Sequence, residues 1–252
     1  MAEVHALQEL LVGLADEAAR KLAEVRNRRA LGNRDGQYDL DLIVDEPLVG
    51  ALLDAGLGVL SEEAGVLSAE RSLLAVVDPV DGSTNASRSL PWCATSICIF
   101  DDEGPWISLV ENLVTRERFE AVRGGGALHN GQVMKPVQPV EPADRVVLVN
   151  GNPPTERPWS QFRCLGASAL DISYVAAGNV DGYVDFDDEA HGVWDYAGAM
   201  LICSEVGAVI RDAFDRDLVH RDHGQRRTPV VAHDEQTAEE FIEVRRLLRE
   251  NP

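Results

Sequence analysis

Asp78-Pro79-Val80-Asp81-Gly82-Ser83-Thr84-Asn85 holds two carboxylates, a backbone carbonyl between them and a run of small polar residues. Asp78, Asp81 and the Val80 carbonyl offer the all-oxygen surroundings that hard divalent cations such as Mg²⁺ prefer. Pro79 removes a backbone donor and Gly82 accepts φ > 0, so the preceding apolar run Leu73–Val77 is expected to be a buried strand ending in a turn. The free N–H groups of the residues after Gly82 would then face an anion. Metal and phosphate chemistry would meet at one point. An ordinary Asp-Pro, Asp-Gly surface turn is the competing reading.

More carboxylates belong to the argument. Trp194-Asp195-Tyr196-Ala197-Gly198 opens a segment expected to be helical from Asp195 to Val206, with Gly207 as its C-terminal cap. An aspartate in a first helical turn is held ionised by the helix N-terminus and can bind a cation. Ser61-Glu62-Glu63 ends a short strand in two acids. Asp45, before Glu46-Pro47-Leu48, fits a helix N-cap with proline in the first turn, and equally fits a group that orients catalytic water.

The octet 78–85, the Trp194-Asp195 segment running to Gly207, and the Glu62-Glu63 pair together resemble the signatures of the inositol monophosphatase family of lithium-sensitive, Mg²⁺-dependent phosphatases. The resemblance extends over Arg118–Asn130 and over Arg163–Leu170 onward to Asp181-Gly182-Tyr183. It implies a layered α+β/α/β sandwich of the sugar-phosphatase type (α-β-α-β-α), two or three Mg²⁺ (or Mn²⁺) ions and a homodimer. The ligands it implies are Glu62, Asp78, the Val80 carbonyl, Asp81 and Asp195. Glu62 would be the base for water, with Ser83 and Asp45 orienting it. Asp81, Gly82 and Ser83 would face the phosphate; Gly166, Ala167, Ser168 and Asp185 would face the polyol. The chain departs from the family where Arg34 and Val44 stand in place of a lysine and a threonine, and where Ser83 replaces a threonine but keeps the hydroxyl. The acidic stretch Asp185–His191 lies where the family reads substrate hydroxyls; the resemblance implies an inositol 1-phosphate-like substrate, with fructose 1,6-bisphosphate, histidinol phosphate or a related sugar phosphate as the alternatives. A regulatory member that has lost turnover is the reading from a different class.

The elements needed to hold these residues are legible in outline. Val4, Leu7, Leu11, Leu14, Ala18, Leu22 and Val25 fall on one face of a first helix reaching about Arg28, and a second helix is expected after Asp45. Strands and turns alternate from Val59 to about Val122. The later part alternates a strand at 146–149, a helix at 168–177, a strand near Tyr183, the helix 195–206, strands at 209–210 and 229–232, and a closing helix 237–249. We expect an N-terminal α+β half, 1–145, carrying the first motif, and a C-terminal α/β half, 146–252, carrying the second.

With 252 residues and a formal charge of −20, the chain can bury a large core and would repel a polyanion, which argues against a nucleic-acid partner. Bound divalent cations would reverse the field locally and admit a phosphate ester. The apolar runs are too short for a membrane span, and the amphipathic first helix does not read as a signal peptide. Cys93, Cys98, Cys164 and Cys203 lack zinc spacing and read as buried, reduced thiols of a cytoplasmic protein. His220 and His223 read as part of an exposed loop.

Overall fold

The computed structural model describes residues 2–34 and 37–250. Two helices, α1 (Ala2–Glu24) and α2 (Asp39–Asp54), lie on one face of an eight-stranded sheet. Its strands are β1 (Gly58–Ser61), β2 (Gly65–Leu67), β3 (Leu74–Asp81), β4 (Ala94–Asp101), β5 (Gly104–Asn112), β6 (Arg118–Val122), β7 (Gly126–His129) and β8 (Gln132–Val133), in spatial order β2-β1-β3-β4-β5-β6-β7-β8. Only the β1–β3 pairing is parallel. A short helix, α3 (Ser83–Ser87), follows β3.

The other face of that sheet packs on α4 (Ser168–Ala176) and α5 (Ala197–Val206). These helices also cover a second sheet of β9 (Val146–Asn150), β10 (Gln161–Arg163), β11 (Gly182–Asp185), β12 (Val209–Asp212) and β13 (Pro229–Ala232), ordered β10-β9-β11-β13-β12. The last helix, α6 (Glu235–Glu250), closes the far face. The layers therefore run α-β-α-β-α, as expected from the sequence.

The central sheet is continuous apolar sequence because both its faces are buried. Side chains of a strand alternate between faces. On β3, Ala75 and Val77 join the core under α1 and α2, while Leu74 and Val76 join the core around α4 and α5. The same split places Ile97 and Ile99 of β4 on the first side, Cys98 and Phe100 on the second. The second of these cores also contains Leu148, Tyr183 and Val231 of the five-stranded sheet, so one hydrophobic layer serves both sheets.

Three expectations are corrected. Helix α1 ends at Glu24, short of Arg28. Helix α2 begins at Asp39, upstream of Asp45: the Tyr38 N–H donates to Asp41 Oδ2 (2.9 Å), and Asp39 and Asp41 place negative charge in the first turn. Asp45 is thus an interior residue and no cap, and Pro47 sits inside the helix, where it has no N–H to return to the Ile43 carbonyl. Strand β3 also continues past Pro79 to Asp81. Its register with β4 shifts between Asp78 and Asp81, an irregularity that accommodates the donor missing at Pro79. Gly207 does cap α5, at φ 78°.

Candidate active site

The end of β3 carries the first two acids inward. Asp78 is fully buried, and its Oδ1 accepts the Val80 N–H (2.9 Å), which fixes the carboxylate at the strand irregularity. Gly82 then turns the chain in the left-handed region (φ 82°), where a side chain would also press on the Gly166 and Trp92 carbonyls at 3.0 Å. Glu62 follows directly on β1, which runs parallel to β3, and its N–H bonds to the Val77 carbonyl (3.1 Å). Asp195 lies in a 3₁₀ turn, Val193–Asp195, rather than in α5 itself, and accepts the Gly192 N–H at 2.6 Å. These three elements bring carboxylate oxygens of Glu62, Asp78 and Asp195 within 4.8 Å of one another, the one such metal-competent group among the described residues.

Three acids so close repel one another, and burial adds to that cost. Burial first, then the Asp195 charge, push Glu62 up to about 9. Burial and the Glu62 charge raise Asp78 well above the usual carboxylate range. A cluster with this donor set is balanced by divalent cations, and its hard oxygen ligands fit Mg²⁺ or a similar ion.

Asp81 stands outside that trio. Its two oxygens accept the Ser168 (3.1 Å) and Ala169 (2.7 Å) N–H groups at the start of α4, tying the first motif to the substrate-side helix. Burial, reinforced by the Asp195 charge, still lifts it to about 7. Each oxygen retains a lone pair for a cation. The Val80 carbonyl accepts the Ser83 hydroxyl at 2.8 Å, which likewise uses one of two lone pairs.

Asp45 does not make the expected contact with Ser83. Its Oδ1 receives the Ser61 hydroxyl, inside the helix–strand packing. The carboxylate that shares a cavity with Ser83 belongs to Asp41, one helical turn earlier, and burial lifts it to about 6. Asp41 Oδ1 is buried with no hydrogen-bond partner. Asp41 also lines a cavity of about 290 Å³ together with Glu62, Glu63, Ser83 and Trp194. Sequence reasoning missed it, although the Asp39-x-Asp41-x-x-x-Asp45 spacing holds a signal. Asp41 is third in its helix and reaches back to the N-cap, whereas Asp45 points one turn deeper. Val44 is fully buried in the core under α1, and Arg34 pairs with Glu63, whose carboxylate Gln37 also meets.

On the substrate side, Gly166, Ala167 and Ser168 lead into α4, and Asn85 Nδ2 bonds to the Trp92 (2.8 Å) and Leu165 (2.7 Å) carbonyls to hold that loop against α3. Ser168 Oγ lies 3.3 Å from the Tyr183 hydroxyl. Asp185, at the end of β11, takes the Asn150 amide on Oδ1 (2.9 Å), while its Oδ2 is buried without a hydrogen-bond partner. His191, absent from the sequence-based set, enters here with its ring 3.5 Å from Asp185 and 3.7 Å from Asp195. Burial alone would lower its pKa, but the neighbouring Asp195 and Asp185 carboxylates outweigh burial and raise it to about 9.

Two further residues come from the loop taken to be merely exposed. His223 packs on Trp194 (ring centroids 4.7 Å), its Nε2 donates to the Glu62 carbonyl (3.2 Å), and Arg226 covers the other part of the cavity. No local pattern marks them, because their partners are far away in sequence. His220 sits against the Tyr196 hydroxyl (3.1 Å). Cys93, Cys98 and Cys203 are buried free thiols, whereas Cys164 is exposed, since β10 lies at a sheet edge.

Comparison with known proteins gives the family and the fold. Residues 3–249 match the inositol monophosphatase family. The fructose-1,6-bisphosphatase of Pyrococcus furiosus is 29% identical over 181 residues, 71% of either chain. Inositol-1-monophosphatase ImpA of Mycolicibacterium smegmatis is 29% identical over 202 residues, 73% of this chain and 72% of that one. A solved Pyrococcus horikoshii protein, described as having similarities for inositol-1 monophosphatase, shares the fold with a TM-score of 0.85 at 22% identity, covering 96% of this chain and 98% of its own. With the five-layer fold and the three-carboxylate cluster already in place, this chain belongs to the inositol monophosphatase family and is a metal-dependent phosphatase of sugar and polyol phosphates.

Proposed function

We propose that the protein is a cytoplasmic, Mg²⁺-dependent phosphomonoesterase acting on a small polyol phosphate of the inositol 1-phosphate type, and that it works as a homodimer. The observation that carries the chemistry is the Glu62–Asp78–Asp195 cluster beside Ser83. Glu62, Asp78 and Asp195, with Asp81 and the Val80 carbonyl, would hold the ions. A divalent cation bound there supplies Lewis-acid activation of water and offsets charge on the phosphate.

The chain's own groups do the rest. The N–H groups of Gly82 and Ser83 bind phosphate oxygens, which are acceptors with no donors of their own. Asp41 Oδ1 and the Ser83 hydroxyl orient the attacking water, and Glu62 accepts its proton. Gly166, Ala167, Ser168 and Asp185 position the polyol, and Asp81 holds the first of these elements to α4 by its two N–H contacts. The covered cores on both sides of the central sheet keep this end of β3 rigid, so geometry is set before substrate arrives.

Phosphate release from inositol 1-phosphate, fructose 1,6-bisphosphate and histidinol phosphate, with Mg²⁺, with Mn²⁺ and in excess EDTA, tests this reading. Release is expected only with metal, on at least one of these esters. Full release in EDTA would remove the metal mechanism, and a folded protein inert on every ester would leave the regulatory reading. Light scattering at micromolar concentration decides between monomer and dimer.

The exchange of Asp45 for Asp41 makes its own prediction. Asp41→Asn should lower Mg²⁺-dependent turnover by roughly ten- to hundredfold, the usual cost of losing an orienting charge at a metal site. Asp45→Asn, which still offers an acceptor to Ser61, should cost much less. The two rates and melting temperatures need to be measured side by side; the reverse order would return the role to Asp45.

A further inference from the structure

The cavity that Glu62 of the carboxylate cluster lines together with Asp41 and Glu63 also carries two guanidinium groups, Arg34 and Arg226. They are not equivalent. Arg34 is spent on Glu63, a carboxylate whose side chain is only 4% exposed. Arg226 makes no ion pair among the described residues, in a chain with 43 acidic and 23 basic residues. A free guanidinium in such surroundings is held there by the fold.

What holds it is visible. Nη1 donates to the His223 (2.8 Å) and Gln225 (3.0 Å) carbonyls, and Cζ lies over the Trp194 ring, 5.0 Å from its centroid. Trp194 is buried and adjacent to Asp195 of the cluster. His223 supports the same ring from within the loop and is anchored on the Glu62 carbonyl. These contacts engage one end of the guanidinium and leave Nε and Nη2 without a hydrogen-bond partner among the described residues, as donors for a planar anion.

The ester phosphate already has the Gly82–Ser83 N–H groups and the cations held by the cluster. A further positioned, unpaired arginine in the same cavity is surplus to a substrate with one anionic group. We infer that Arg226, braced by Trp194 and His223, is a specificity-determining residue that takes a second anionic group of the substrate, a phosphate or a carboxylate. This rests on the phosphatase reading above and moves its preferred substrate from a singly charged ester such as inositol 1-phosphate to a polyol or sugar ester with two anionic groups. Arg rather than Lys suits the task, because the fork matches either anion with two parallel hydrogen bonds.

Matched substrates isolate the second charge. Fructose 1-phosphate and fructose 1,6-bisphosphate differ by one phosphate; glycerol 2-phosphate and 2-phosphoglycerate differ by one carboxylate. The wild type with Mg²⁺ should prefer the doubly anionic member of at least one pair in kcat/KM, and that pair identifies the anion. Arg226→Gln should lower that preference by roughly ten- to hundredfold, mainly through KM, as expected for a lost charge-assisted hydrogen bond. Arg226→Lys should recover only part of it, and it carries the same comparison if the glutamine variant does not fold. A wild type without preference in both pairs overturns the inference, as does a preference that survives in the variants. An equal loss on both members of a pair would show that Arg226 serves the ester phosphate or the fold instead. A wild type that releases phosphate from inositol 1-phosphate but from none of the four esters overturns the inference and leaves the phosphatase reading standing; one inert on all five removes both.

Discussion

Asp78→Asn should lower Mg²⁺-dependent turnover by at least ~100-fold while raising the melting temperature of the metal-free protein. The two effects have opposite signs for one reason. Asp78 is fully buried and within 4.8 Å of Glu62 and Asp195, so without cations its charge repels both. The amide keeps an acceptor for the Val80 N–H and preserves the local turn. It removes a group that the metal-free cluster can keep only as a repelled charge or by taking up a proton, which stabilises the site without metal. The same change leaves any bound cation with a weaker, neutral ligand. Differential scanning calorimetry in EDTA and phosphate release in Mg²⁺ read the two halves separately. A variant that melts lower in EDTA than the wild type, or one that turns over normally, contradicts the cluster as described.

The pH dependence of stability should depend strongly on metal. Asp41 and Asp45 are raised to about 6, Asp81 to about 7 and Glu62 to about 9, in each case chiefly by burial. His191 is raised to about 9 by its acidic neighbours. All five groups bind their protons more tightly in the folded chain than in the unfolded one. Their contribution is therefore complete below the ordinary carboxylate and histidine values, and it is lost as pH rises through the folded values. In EDTA the melting temperature should fall steadily between pH 5 and about pH 9. Each tenfold difference in proton affinity is ~1.4 kcal/mol, enough to move the melting point of a chain this size by roughly 3–6 °C. With saturating Mg²⁺ the carboxylates lose their protons to the cation, and the fall should flatten or reverse. A metal-free protein that becomes more stable from pH 5 to pH 9 would refute the account of buried, mutually repelling acids.

Much of the site was legible because its residues are close in sequence and chemically unusual. Asp78-Pro79-Val80-Asp81-Gly82-Ser83 announces an oxygen-rich turn from six neighbouring residues, and the Trp194-Asp195 pair with Gly207 downstream marks a capped helix. The five layers came from the family resemblance, while the alternation of apolar runs gave the order of strands and helices that fits them, since a strand buried on both faces and an amphipathic helix are written in periodicity. Errors gathered where two local rules competed. At Asp45 the Asp-x-Pro pattern favours a cap, yet the acids at 39 and 41 start the helix sooner, and that shift of start point decides which carboxylate shares the cavity with Ser83.

Sequence by itself determined the reaction class: acids of fixed spacing, the turn that presents them and the alternating elements that bury their supports. Tertiary structure alone decided which groups share the cavity. Glu62, Asp78 and Asp195 become one cluster because β1 runs beside β3 and the 3₁₀ turn packs against both β3 and β4. Asp81 is drawn to the start of α4 instead, across 87 residues of chain to Ser168. Arg226 and His223 reach Trp194 and Glu62 from a loop with no local signal, His223 meeting Glu62 across 161 residues. Periodicity and capping act over a few residues, and contacts of that length are set only when the packed layers close.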